Sequence, residues 1–213
     1  MGRPAPERRE ELVALYRQAQ ACTRCPLHET RTQVVFGAGN ADADLMFVGE
    51  APGASEDAQG LPFVGRAGKL LEELLLANGM KRSDVFITNV LKSRPPGNRD
   101  PEPSEIDACR PYLQRQVELI EPRVICTLGN FATKLLTGSP RGITQVHGEP
   151  QRHEIGDRPV VLYPLFHPAA ALRTPKVKEQ LAEDFERLPG LLAAAGPAPP
   201  ATEPEAQQLG LLD

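Results

Sequence analysis

The chain has 213 residues, 40% of them hydrophobic, which is enough for one domain with a packed core and gives no reason to expect two. A net charge of −4 excludes indiscriminate electrostatic binding of nucleic acid. Three of the acids (Glu203, Glu205, Asp213) lie in a base-free segment from Pro197 onward, so the remainder is close to neutral and has room for a local basic face. No run of about 18 apolar residues exists to span a membrane. The start, MGRPAPERREEL, lacks the apolar stretch of a secretory signal, so a cytoplasmic protein is expected.

ERREELVALYRQAQ (7–20) spaces Leu12, Leu15, Tyr16 and Ala19 as on one face of a helix. QVVFG (33–37) is a short strand candidate and LMFVG (45–49) a stronger one. GRAGKLLEELLLANG (65–79) predicts a helix with Gly79 just past its end. DVFITNV (84–90) is rich in strand formers, and KSRPPGNRDPEPSE (92–105) is a loop by its prolines. Ser104 is the expected cap of the next helix, with Asp107 three residues on, and that helix runs to about Glu121. RVICTLG (123–129) reads as a buried strand and NFATKLLTG as a helix. QRHEIGDRPVVLYPLFH (151–167) reads as a hairpin leading into a last buried strand, and KVKEQLAEDFERL as a final helix after Pro175. From Ala193 the chain is Ala/Pro-rich and expected to be disordered, leaving 1–192 as the domain and 193–213 as a tail.

Strands that alternate with helices and are continuously apolar predict an α/β fold, a single domain with a four-stranded parallel sheet flanked by helices. Ligands of such sheets bind beyond the carboxyl ends of the strands. There the chain places Glu50 in GEAPGASED, Asn89 and the RPPGNR loop, Gly129-Asn130, and His167. A glutamate so close to a core is rare without a partner. Solvation at a strand tip is the plain explanation, and a functional site the sharper one.

The four cysteines are Cys22, Cys25, Cys109 and Cys126. Cys-x2-Cys brings two thiolates onto one metal, and four thiolates suit zinc or an iron–sulfur cluster, between which spacing does not choose. The alternative is that Cys109 and Cys126 are small core residues. GRAGKLL is not a phosphate loop, because Phe63 and Leu70 stand where that pattern needs Gly and Ser or Thr. Phe63 in LPFVG either anchors a loop or stacks on a planar ring. Asn89 either caps a turn or reads a nucleobase edge through its amide. In FHPAAALR, Pro168 is placed to start a short helix. His167 closes the last strand there, and Leu172-Arg173 could be a wedge beside a phosphate contact.

GEAPGASED, LPFVGRAGKLL, TNVLKSRPPGNRDPEPSE, HPAAALR and the four cysteines together resemble the family 4 uracil-DNA glycosylases, the iron–sulfur type, over roughly residues 20–190. The resemblance implies a monomeric base-excision enzyme with a structural [4Fe-4S] cluster on Cys22, Cys25, Cys109 and Cys126. It implies that the enzyme flips deoxyuridine out of DNA and hydrolyses its N-glycosidic bond without lyase activity. Phe63 would stack on uracil, Asn89 would pair with O4 and N3–H, and His167 would donate to O2 as charge develops there. Where the wider superfamily carries Asp in this motif the chain has Ala51, and Gly53 replaces a tyrosine. Glu50 is then the nearest substitute, orienting water or excluding thymine. Lys92, Arg94 and Arg99 would contact DNA phosphates, with Leu172 as an apolar wedge and Arg173 as the phosphate contact beside it. The rivals are a non-catalytic uracil-binding module and a hydrolase of free nucleosides. QLGLL (208–212) resembles peptides that bind the bacterial sliding clamp, with Leu212 in place of an aromatic.

Overall fold

The computed structural model describes residues 4–156 and 158–196. The elements in order are α1 (Ala5–Gln20), α2 (Leu27–Thr30), β1 (Ala38–Gly39), β2 (Leu45–Gly49), α3 (Ala54–Gln59), α4 (Arg66–Ala77), β3 (Phe86–Asn89), α5 (Pro103–Ile120), β4 (Val124–Leu128), α6 (Asn130–Thr137), α7 (Ile143–Val146), β5 (Gln151–Ile155), β6 (Arg158–Leu165), α8 (Pro168–Ala171), α9 (Pro175–Glu186) and α10 (Leu188–Ala194). The strands form one sheet in the order β1-β3-β2-β4-β6-β5. The four central strands are parallel, as the alternation predicts. Two antiparallel edges, β1 on β3 and β5 on β6, extend the expected four strands to six and make the sheet mixed.

The apolar runs are continuous because both faces of the sheet are covered. Successive residues alternate between two cores. Met46, Val48, Ile125 and Leu162 face α1 and α5, meeting Leu12, Val117 and Ile120. Leu45, Phe47, Ile87 and Tyr163 face α4, α9 and α10, meeting Leu71, Leu75, Phe185 and Leu188. Among the described residues no helix is long and apolar enough to cross a membrane.

Several sequence expectations shift. Residues 33–37 form no strand; Val35 N–H donates to the Lys92 carbonyl at 2.8 Å, and the strand begins only at Ala38. Glu102, not Ser104, caps α5: the Glu105 carboxylate accepts from the Glu102 N–H at 2.9 Å, and Pro103 takes the first helical position. Helices α2, α3, α7 and α10 were not expected, and α10 carries helix to Ala194, past the proposed boundary at 193. The clamp-like segment Gln208–Leu212 lies outside the described residues.

Candidate active site

Glu50, Asn89, Asn130 and His167 sit at the carboxyl ends of β2, β3, β4 and β6, all on one edge of the sheet. A cleft of about 660 Å³ opens there, lined by Glu50, Ala51, Gly53, Phe63, Asn89, His167 and Arg173 among others. The sequence-predicted pocket residues therefore share one cavity.

Phe63 is held on an unusually constrained loop. Its backbone is left-handed, φ 52°, a conformation that costs a non-glycine residue of this bulk of order 1 kcal/mol or more. The surroundings impose it. Arg82 donates to the carbonyls of Pro62 and Phe63, the latter at 3.0 Å. The Glu56 carboxylate accepts from the N–H groups of Val64 and Gly65, both at 3.0 Å. A Cβ on Gly68 would stand 1.7 Å from the Phe63 carbonyl oxygen, so the loop lies directly on the first turn of α4. Neither Arg82 nor Glu56 was singled out in the sequence, since nothing local in either segment shows that it reaches this loop.

The Phe63 ring faces His167, with centroids 5.7 Å apart. His167 caps α8, its Nδ1 accepting from the Ala169 N–H at 3.1 Å. Accepting at Nδ1 leaves the ring proton on Nε2, so the neutral imidazole is a donor. Enclosure of the ring lowers its pKa to about 4, against a smaller opposing effect of Glu56, while its edge stays open to the cleft. Asn89 is 2% exposed. A Cβ on Gly49 would come within 2.4 Å of Asn89 Oδ1 and 2.7 Å of Phe63 Cζ. The amide and the ring therefore lie over the end of β2, where only glycine fits.

Lys92, expected at the DNA surface, is buried. Its Nζ donates to Thr88 Oγ1, the Asn89 carbonyl and Gln116 Oε1, each at 2.7 Å. Three acceptors satisfy all three ammonium donors, so none is left for a phosphate. Lys92 instead braces the strand end that carries Asn89. Burial, partly countered by Cys109, lowers its pKa to about 7.

A family model described as the uracil DNA glycosylase superfamily matches residues 36–188. The chain belongs to the uracil DNA glycosylase superfamily. It is 45% identical over 183 residues to the type-4 uracil-DNA glycosylase of Archaeoglobus fulgidus, covering 84% of this chain and 92% of that protein. It is 44% identical over 192 residues to the type-4 uracil-DNA glycosylase of Thermotoga maritima, covering 88% and 98%. The type-5 uracil-DNA glycosylase of Pyrobaculum aerophilum is 30% identical over 148 residues. The resemblance to family 4 read from the motifs thus holds across most of the chain.

In this uracil DNA glycosylase superfamily member the cleft is acidic inside. Asp100 faces Glu50, whose carboxyl is pushed up first by burial and then by the Asp100 charge. Cations sit at the rim and are unequally free. Arg99 forks onto Glu105 at 2.6 and 3.0 Å. Arg94 donates to Asn98 Oδ1 at 2.7 Å, placing that left-handed asparagine on the cleft wall. Arg173 is exposed and has no ionic partner among the described residues. Leu172 beside it is 39% exposed, an apolar side chain turned to solvent.

The cysteines divide. Cys22 and Cys25 pack against the α1/α5 core that contains Cys109. Cys126 is fully buried in β4, among the residues facing α4 and α9. It shares that face with Val124 and Leu128, while Ile125 faces Cys109's side. Side chains alternate along a strand, so Cys126 reaches the other face only by a one-residue register slip that would exchange every residue of β4 between the two cores. The four-thiolate set expected from the sequence does not fit, and Cys126 belongs to the core. Among the described residues no three His, Cys, Asp or Glu side chains are drawn close enough to hold a single ion.

Proposed function

We infer that this chain is a uracil-DNA glycosylase of base-excision repair, hydrolysing the N-glycosidic bond of deoxyuridine to give uracil and an abasic site. The observation that carries the reading is a neutral histidine donor fixed in its tautomer, an amide and an aromatic ring on one cleft. A flipped uracil stacks on Phe63. Asn89 accepts from N3–H and donates to O4, a pairing that cytosine does not offer because it carries an amino group there. His167 Nε2–H donates to O2, where negative charge grows as the bond breaks. The sugar becomes cationic, and the carboxylates of Glu50 and Asp100 lie on the cleft to stabilise it. Glu50 is the group that orients the attacking water, Ala51 offering no carboxylate. Small residues at Ala51 and Gly53 leave this wall open, so exclusion of thymine also falls to Glu50. Water completes the reaction, since among the described residues the lining of this cleft holds no lysine to form a covalent intermediate. Arg173, Arg94 and the outer face of Arg99 contact phosphates, and Leu172 fills the gap left in the stack.

We also propose an iron–sulfur cluster of structural role and action as a monomer in the cytoplasm, in keeping with the family resemblance, with Cys22, Cys25 and Cys109 as the cluster's thiolates and Cys126 excluded by its place on the other face. A transient contact of Gln208–Leu212 with the sliding clamp rests on the sequence of that segment alone. The assay is a labelled oligonucleotide with one uracil, incubated with enzyme and then treated with alkali. Cleavage only after alkali is expected. Binding without cleavage would leave a uracil-binding module, the reading favoured by Ala51. Cleavage before alkali would mean a lyase.

A further inference from the structure

The turn that carries Cys22 and Cys25 is tied down on two sides. Arg24, between the two cysteines, lies over the Tyr112 ring at 4.5 Å. Tyr112 is three residues beyond Cys109 on α5 and donates to the Gln18 carbonyl at 3.3 Å. Arg31 donates to the Gln20 carbonyl at 3.0 Å and to Ser93 Oγ at 3.3 Å. Ser93 is 4% exposed and follows Lys92, whose backbone N–H hydrogen-bonds the Cys109 thiol. The CxxC turn, Cys109 and a buried serine hydroxyl thus occupy one corner. Cys126 is on the opposite side of the sheet, next to Tyr163 and Phe47 in the register of β4.

We propose that the metal centre of this protein is held by three thiolates, Cys22, Cys25 and Cys109, and that Ser93 supplies an oxygen as its fourth protein donor in place of Cys126. The proposal rests on the cluster reading above only for the identity of the metal. Thiolates hold iron–sulfur and zinc centres more firmly than oxygen does, since soft ligands suit these metals. The Ser93 corner is then the weak one, from which metal is lost first. Beyond the effect of burial, Cys25 feels the charge of Cys22, and Cys109 that of Cys25 and Cys22, as neighbouring thiols do.

The full chain and its variants would be reconstituted anaerobically with ferrous iron and sulfide. Iron and sulfide per chain, visible absorption, and the rate of iron transfer to a chelator would then be measured, with circular dichroism as the check on folding. Cys126→Ala and Cys126→Val are expected to keep the wild-type iron content and spectrum. Cys109→Ala is expected to lose them. Ser93→Cys is expected to slow iron release about tenfold or more, a thiolate replacing oxygen. Loss of the centre in folded Cys126 variants, or an unchanged release rate in Ser93→Cys, would overturn the donor set. Stoichiometric zinc in place of iron would refute the cluster instead, and the same Cys126 and Ser93 variants would still decide which residues hold the metal.

Discussion

His167 shows how much one backbone hydrogen bond decides. Because Nδ1 accepts from Ala169 N–H, the role proposed for this side chain is that of a neutral donor and not of an imidazolium. His167→Ala is expected to slow single-turnover cleavage by about 10²–10³-fold, the size of losing one oxyanion-type donor, with little change in DNA affinity. Rapid-quench kinetics would check this, and a wild-type rate would remove His167 from the mechanism. The same residue makes the protein acid-sensitive. Its ordinary pKa is 6.5 and its folded value about 4, so the unfolded chain takes the proton first. Its contribution to stability is therefore unchanged above about 6.5, falls as pH drops towards 4, and levels below that. Urea midpoints measured across this window should decline less steeply in His167→Ala than in the wild type. The catalytic rate, in turn, should show no step near 6.5 arising from this group.

At the scale of elements, the site is assembled from strand ends and one strained loop. Gly49 closes β2 beneath both the Asn89 amide and the Phe63 ring. Gly49→Ala is expected to leave the protein folded while displacing these two groups by a fraction of an ångström to an ångström. A loss of about 10²-fold in single-turnover rate follows from such a displacement. A near-normal rate, measured on protein with a normal melting curve, would show that the neighbours give way without harm. Lys92 tests the support behind Asn89. Lys92→Met should slow cleavage about tenfold, yet do almost nothing further in an Asn89→Ala background, because two residues acting through one group are not additive. Equal effects in both backgrounds would mean that the lysine only stabilises the fold.

These elements also mark what could be read in the sequence. The four central strands, their helices and the polar residues at their ends were legible because each is encoded locally, by an apolar run followed by a break. Lys92 was misread for the same reason: a lysine in a Pro/Arg loop looks solvated. Only Gln116, 24 positions away, and the Phe36 carbonyl that receives the Thr88 hydroxyl and the Gln116 amide reveal the buried polar network around it. Cys126 was misassigned because the face a strand residue takes depends on register against its neighbours, which spacing between cysteines does not contain. Ser104 yielded to Glu102 because Pro103 is an equally good first helical residue and Glu105 completes the cap from inside.

For the whole molecule, a net charge of −4 and an acidic cleft leave DNA attraction to a few rim cations, so a proposed partner contact elsewhere on the chain is worth testing. The segment Gln208–Leu212 is the candidate. A peptide of residues 201–213 titrated against the sliding clamp should bind with a dissociation constant on the order of micromolar or weaker, since ordering a short segment offsets much of a small interface. Gln208→Ala with Leu211→Ala should abolish it. Equal binding by both peptides would end the idea, and glycosylase activity of the isolated enzyme should be the same in either case.

The order of the central strands has a consequence for synthesis. The aromatic ring, the amide and the imidazole come from positions 63, 89 and 167, and the imidazole lies just past β6, the last parallel strand to be made. Beta6 docks on β4, whose other neighbour, β2, begins near residue 45. A nascent chain therefore gains the ring and the amide proposed to bind the base well before the proposed donor. Excision by the proposed mechanism therefore waits until the segment through His167 and its α8 cap has been made.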